Sequence, residues 1–174
     1  VSYGAESSDK VYNDVLKMDT HLHVDVPMET KDMPGKPSDL RTAMKKAGMD
    51  AIGMTFAVDY VKLTYPGHAY QRFLNALDEM DRLLEYNKMT RTLSYAEMKD
   101  KYAKGEPIVI QAVEGGHFLE GDVSRLQIAY NRGLRIFCLL HDNDATPPLG
   151  DVYTNEPRYG GLTKLGEDSI KECE

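Results

Sequence analysis

The sequence predicts an α/β fold in which strands and helices alternate along the chain. Four apolar runs of strand length are each followed by a segment with helical periodicity, and this alternation is typical of a parallel sheet. Side chains able to bind a metal or transfer a proton follow the first, third and fourth runs, where (β/α)₈ barrels place functional residues. No glycine-rich phosphate loop follows any of them. We therefore expect half of a TIM-type barrel, with four βα units, rather than a doubly wound nucleotide-binding sheet.

The first strand is expected within residues 15–27, where histidine and aspartate alternate with apolar residues. His21, His23 and Asp25 occupy alternate positions, so the two-residue period of a strand would send all three to one side. Solvent-facing polar residues on an edge strand would give the same pattern. However, His-x-His or His-x-Asp on a rigid strand offers two metal ligands, and the chain has only five histidines. The pattern favours a metal site.

A short amphipathic helix is predicted after the first strand, between an N-cap at Ser38 and a stop at Gly48. The apolar run 51–58 is expected to be a strand. A long helix should follow Pro66-Gly67, and we expect His68, near its start, to lie at the surface. One face of that helix carries a continuous apolar stripe, made of Tyr70, Phe73, Leu74, Leu77, Met80 and Leu84.

The third unit is predicted to present the most informative side chain of the sequence, Glu114. A capping box at Ser94 with Glu97 indicates a short helix, and the run 107–113 is apolar enough for a strand covered on both faces. Glu114 ends that run and two glycines follow it. A carboxylate at the carboxyl rim of a parallel strand, beside glycines that leave space, is typical of metal and catalytic ligands.

The third strand is predicted to be followed by a helix capped by Asp122 and stopped by Gly133. Four residues should face inward from it: Val123, Leu126, Ala129 and Tyr130. The apolar run 134–140 is expected to be a buried strand with Cys138 inside it. This strand delivers His141, and a last amphipathic helix is expected over residues 162–173.

Composition excludes several classes of protein. The formal charge of −7 over 174 residues gives no basic surface for nucleic acid. No apolar run approaches the roughly 18 residues of a membrane span, and no signal peptide opens the chain. We expect one partial domain over residues 1–174, with a polar arm at residues 1–14 and the half-barrel at 15–174. Because the chain begins with Val1, we expect a processed or excised product. A secreted or periplasmic location is slightly favoured over a cytoplasmic one.

The ordered motifs between residues 18 and 172 resemble the membrane (renal) dipeptidase family of zinc metallopeptidases. The resemblance is carried by Asp19-Thr20-His21, Val113-Glu114-Gly115-Gly116-His117, Arg132-Gly133-Leu134-Arg135, the strand end Leu139-Leu140-His141, and Gly160-Gly161-Leu162-Thr163 with Gly166. It implies an amidohydrolase-type barrel that holds two zinc ions and cleaves dipeptides or small peptides. It also implies that this chain is the N-terminal half of that barrel.

Residue by residue, the resemblance gives Glu114 the role of bridging the two metals. It gives His141 the role of contacting the substrate and stabilising the tetrahedral intermediate. The family's first-strand pattern, Asp-x-His-x-Asp-x-Pro, fits in two registers. Alignment on Asp19 selects His21 and His23 as ligands, whereas alignment on Pro27 selects His23 and Asp25.

The resemblance further implies that ligands and substrate-binding residues of the complete site lie beyond Glu174. We therefore expect this chain to be inactive alone, and the open sheet edges of a half-barrel make self-association into a homo-oligomer possible. Two alternatives stay open. One is a non-catalytic protein, such as a maturation factor, that binds a peptide or a partner. The other is a hydrolase of a different amide, since loops rather than the fold set specificity.

Overall fold

Four parallel strands in sequential order form the sheet of this computed structural model, which describes Tyr12 and residues 15–29 and 35–174. The strands are β1 (Met18–His23), β2 (Ala51–Ala57), β3 (Ile108–Glu114) and β4 (Leu134–Cys138). The connections contain the helices α1 (Leu40–Ala47), α2 (His68–Tyr86), α3 (Tyr95–Lys104), α4 (Arg125–Asn131) and α5 (Lys164–Glu172), with a 3₁₀ turn at Gly116–Leu119. The predicted α/β fold of four βα units is confirmed. Apart from Tyr12, the predicted polar arm 1–14 lies outside the described residues.

The two central strands are the best buried part of the sheet. Every residue of β2 is buried, and β3 is nearly so. Phe56 of β2 contacts Phe73 of α2, with ring centroids 5.9 Å apart, and Phe73 stacks on Phe118 at 4.0 Å. Long apolar helix faces and apolar strands bury surface worth roughly 1.5–3 kcal/mol per large side chain. This packing holds the carboxyl ends of β2 and β3 in place.

Helix ends agree with the predicted signals, with shifts where a neighbouring side chain is the better cap. Asp39, rather than Ser38, caps α1, because its carboxylate accepts a hydrogen bond from the Thr42 amide at 3.1 Å. The Ser94 hydroxyl accepts from the Glu97 amide at 3.2 Å, as predicted. Asp122 does not cap α4; it accepts from the Ser124 amide and hydroxyl, and Ser124 itself precedes the helix.

His68 is buried, so its predicted surface position was wrong. Its Nδ1 accepts from the Thr64 amide at 3.2 Å, and its ring stacks on Tyr65 with centroids 4.4 Å apart. Its Nε2 lies 3.1 Å from the carboxylate of Glu29, which also pairs with Arg72. Helical periodicity could not reveal this contact, because Glu29 comes from the segment after β1.

The fourth unit is less buried than its apolar sequence indicated. Strand β4 ends at Cys138 rather than at residue 140, and Cys138 is exposed. Tyr130 is also exposed, although its ring is covered by the guanidinium of Arg135 at 4.0 Å. Both predictions were wrong. β4 has a sheet neighbour on only one side within the described part of the chain, so Cys138 is not covered as the residues of β3 are.

Within the segments that the structure describes, no helix combines the length and the hydrophobicity that crossing a membrane requires.

Gly53 marks the closest approach of β1 and β2. A Cβ atom built at Gly53 would lie 2.3 Å from the backbone oxygen of Thr20, so β1 would have to move. We expect Gly53→Ala to lower the free energy of unfolding by about 1–3 kcal/mol, the usual cost of overpacking, as measured by urea denaturation.

Gly35→Ala is the matched control, because no atom of the described residues lies within 4 Å of a Cβ atom at Gly35. Both substitutions reduce the entropy of the unfolded chain similarly, so their difference isolates the contact with β1. Equal stability of the two variants would contradict the close approach.

Candidate metal centre

Three side chains from two strands meet at the carboxyl edge of the sheet. Nε2 of His21 lies 3.1 Å from Oε1 of Glu114, and Nε2 of His23 lies 3.1 Å from Oε2. The two Nε2 atoms are themselves 3.0 Å apart. The strands bring them together because both β1 and β3 pair with β2, where Glu114 stands opposite Ala57 and His23 opposite Thr55.

The donor set fits a transition-metal cation. One ligand atom from each of His21, His23 and Glu114 lies within 4.8 Å of the others. Two imidazole nitrogens and a carboxylate oxygen suit zinc and similar ions. Oε2 of Glu114 is buried, and although the Nε2 atoms of His23 and His141 lie 3.1 Å from it, no group of the described chain makes a hydrogen bond of proper geometry to it. A buried carboxylate oxygen normally requires such a partner or a cation.

His141 approaches the same carboxylate from the segment after β4. Its Nε2 lies 3.1 Å from Oε2 of Glu114, and its Nδ1–H donates to Oδ1 of Asp59 at 2.6 Å. Burial alone would lower the pKa of His141, but the hydrogen bond to Asp59 and the charges of Asp59 and Glu114 raise it above its ordinary value. The ring is therefore suited to donating a proton or a hydrogen bond at Nε2.

Asp25 lies outside the group of ligand atoms. β1 ends at His23, and the backbone then continues beside β2 with the Val24 amide donating to the Thr55 carbonyl. Asp25 is exposed and is absent from the cluster that His21, His23 and Glu114 form among the described residues. Of the two registers that the sequence allowed, the structure brings together His21 and His23.

Two residues that sequence analysis did not single out flank the cluster. Asp59 is buried two positions after β2, with its side chain only 1% exposed. The hydroxyl of Tyr60 lies 3.3 Å from Nε2 of His23, and its ring packs edge-on against His141. Asp59 had a detectable signal: it follows an apolar strand as Glu114 does, whereas the strand-end pattern was recognised only for strands one, three and four.

A cleft of about 780 Å³ opens beside these residues. Residues 59–66, which connect β2 to α2, form one wall, and His117, Asn143 and Thr146 contribute to the other. Glu120 holds the start of α2 in place by accepting hydrogen bonds from the Gly67 and Ala69 amides. The cleft provides space for a small ligand next to the metal-binding side chains.

Comparisons with known proteins identify the family and the fold of this chain. The family described as membrane dipeptidase, peptidase family M19, matches residues 6–174. An amidohydrolase from Pseudomonas aeruginosa superposes with a TM-score of 0.71 at 15% identity, over 94% of this chain and 44% of that chain. The probable dipeptidase PvdM from Pseudomonas aeruginosa gives a TM-score of 0.71 at 15% identity, with 94% and 45% coverage.

A third solved structure, titled dipeptidase AC, a metallopeptidase of family M19, gives a TM-score of 0.64 at 19% identity, over 91% of this chain and 53% of that chain. At these identities the likeness shows the fold alone. This chain spans about half the length of the structures it resembles. The sheet of four βα units is therefore part of a TIM-type barrel.

Metal binding by single-residue variants distinguishes the two registers. We expect His21→Ala to weaken zinc or cobalt binding by at least the roughly 10- to 100-fold typical of losing an outer-shell partner, because a direct nitrogen ligand is removed. Isothermal titration of the 174-residue chain measures the change.

Asp25→Ala is the comparison, and it should bind metal as the parent does. A loss of affinity in Asp25→Ala, with His21→Ala unaffected, would show that the alternative pair, His23 and Asp25, holds the ion.

Proposed function

Because the chain belongs to the membrane dipeptidase family, peptidase family M19, we propose that its metal centre serves the hydrolysis of dipeptides by a zinc-activated water. The observation that carries the proposal is the convergence of three imidazole Nε2 atoms, from His21, His23 and His141, on the carboxylate of Glu114. Two of them would hold a cation with Glu114. The third faces the same carboxylate from the segment after β4 and can serve the substrate.

Each residue has a separate role in this proposal. His21 and His23 would bind through Nε2, and Glu114 would bind through both oxygens, which face different nitrogens and so allow it to bridge two ions. When bound, zinc lowers the pKa of a coordinated water from about 15.7 toward about 7, which supplies hydroxide at neutral pH.

His141 would donate its Nε2–H to the oxygen that becomes negative when the peptide carbonyl is attacked. Such a donor contributes about 2.7–4 kcal/mol to stabilisation of the transition state. The raised pKa of His141 supports this role, because the donating form persists to higher pH. The exposed edge of Tyr60 and the neighbouring cleft give the substrate a place to lie.

We further propose that the complete enzyme holds two zinc ions and that this piece alone is inactive. Within residues 15–29 and 35–174, the ligand atoms of His21, His23 and Glu114 form the one group suited to an ion. A second ion bridged by Glu114 would take its other ligands from elsewhere in the whole protein. Homo-oligomer formation and a secreted or periplasmic location remain proposals.

The second candidate function is non-catalytic binding of a peptide or partner, or hydrolysis of a different amide. The observation that favours it is the histidine at position 23. In the register that the structure brings together, His23 stands where the family pattern has aspartate. A neutral imidazole in place of a carboxylate removes one negative charge from the site, which weakens its hold on a pair of divalent cations. Retained metal without turnover of dipeptides by the whole protein would favour this candidate.

Glu114→Gln tests the proposed bridge. The amide keeps the size of the side chain but loses the charge and one of its two acceptor oxygens, so we expect zinc binding to weaken. In the whole protein, dipeptide hydrolysis should fall by at least about 10²- to 10³-fold, the range for removing one charge-stabilising group. Metal content and turnover are measured together.

Glu156→Gln, at an exposed loop position, makes the same chemical change away from the centre and should leave both quantities unchanged. Near-normal turnover in Glu114→Gln would overturn the role of Glu114 as a metal bridge.

The isolated 174-residue chain tests the proposed inactivity. We expect it to bind metal without measurable dipeptide hydrolysis, because one set of three ligands is present while the substrate is only partly enclosed. Two tightly held zinc ions per chain, with robust hydrolysis, would contradict this expectation.

A further inference from the structure

Asp59 is the most deeply buried carboxylate near the metal centre, and no step proposed above uses it. It lies two residues after β2, and its side chain is 1% exposed. A buried ionised carboxylate is costly unless several donors surround it. The groups that donate hydrogen bonds to Asp59 therefore indicate its role.

Among the residues that the structure describes, the hydrogen bonds to the Asp59 carboxylate come from the segment that follows β4. Oδ1 accepts from Nδ1–H of His141 at 2.6 Å, while Oδ2 accepts from the backbone amide of Asn143 at 3.0 Å and from its side-chain amide at 3.2 Å. His117 also approaches Oδ2, at 3.6 Å. Oδ1 therefore binds the His141 ring, and Oδ2 binds Asn143.

The His141 ring is consequently held between two carboxylates. Nδ1 faces Asp59, and Nε2 lies 3.1 Å from Glu114. Rotation of the ring about its bond to Cβ would break the first contact and redirect Nε2. A carboxylate that accepts the Nδ1–H of a histidine fixes both the orientation of the ring and the nitrogen that carries the proton.

We propose that Asp59 is a positioning residue that holds the His141 ring through its Nδ1–H, so that Nε2 faces Glu114 and the reacting substrate. The importance of this for hydrolysis rests on the function proposed above, whereas the orientation itself is a property of the metal-free chain. Burial would raise the pKa of Asp59, but the hydrogen bond from His141 and the nearby imidazoles lower it below its ordinary value. The acceptor is therefore ionised at neutral pH.

Asp59→Asn changes the hydrogen-bonding pattern with little change of shape. Asparagine has one acceptor oxygen where aspartate has two, and Asn143 presents two donors to this position. We expect the oxygen to turn toward Asn143 and the NH₂ group toward His141, so that Nδ1 of His141 becomes an acceptor and the proton moves to Nε2.

Nitrogen-15 NMR of the imidazole groups in the metal-free 174-residue chain measures the result. At a pH where the rings are neutral, the parent should show His141 with its hydrogen on Nδ1, as a low-field, slowly exchanging proton. His141→Gln assigns that resonance by removing it. Asp59→Asn should lose the Nδ1–H signal and show the Nε2–H tautomer instead.

Asn143→Ala is the control for a purely structural role, because it removes the side-chain amide that donates to Asp59 but leaves the backbone amide of residue 143 and the bond to His141. It should retain the Nδ1–H signal. The proposal is overturned if Asp59→Asn keeps that signal, or if the parent already carries the hydrogen on Nε2. The measurement on the parent needs no variant, so it decides the matter even if Asp59→Asn does not fold.

Turnover by the whole protein gives an independent second readout. Asp59→Asn should lower kcat by about 10- to 100-fold, the usual cost of losing a carboxylate partner of a functional histidine, because the positively charged form of His141 loses its stabilising carboxylate and a neutral Nε2–H is the weaker donor. KM and zinc content should stay close to the parent values, since no metal ligand is removed and asparagine keeps the shape of Asp59 in the cleft wall. An equal fall in metal content would assign Asp59 to metal binding instead. If the whole protein hydrolyses no dipeptide, only the proposed function fails, because the NMR result stands separately.

Discussion

The carboxylate of Glu114 is the group on which the geometry of the site depends. Three imidazole nitrogens lie 3.1 Å from its oxygens. Its buried Oε2 nevertheless accepts no hydrogen bond of proper geometry from the described part of the chain. A charged group can be held in this way only if its backbone cannot yield. The regular pairing of β2 with β3, which continues up to Ala57 and Glu114, provides that rigidity.

Partly or fully buried acidic groups join segments that the sheet alone would leave independent. Glu29 links the segment after β1 to α2 through His68 and Arg72. Asp59 links the end of β2 to His141 and Asn143, and Glu120 holds the start of α2 by its backbone amides. Each carboxylate is compensated by several donors, which makes its burial tolerable. The functional loops thereby share the rigidity of the strands.

The chain belongs to the membrane dipeptidase family, whose model matches residues 6–174. The chain spans about half the length of the solved barrels it resembles. Within the described residues it brings His21, His23, Glu114 and His141 together beside a cleft lined from two sides.

The sequence by itself determined the order of strands and helices, because hydrophobic periodicity and capping residues act locally. It also singled out His21, His23, Glu114 and His141, since polar side chains at strand ends interrupt an otherwise apolar pattern. The tertiary structure brought His21 and His23 together beside Glu114 and placed His68 inside. It also left Cys138 and Tyr130 exposed and joined Asp59 to His141. Those outcomes depend on contacts between residues 37–82 positions apart, such as Glu29 with His68, His23 with Tyr60 and Asp59 with His141, or on which strand has a neighbour, and no local pattern encodes either.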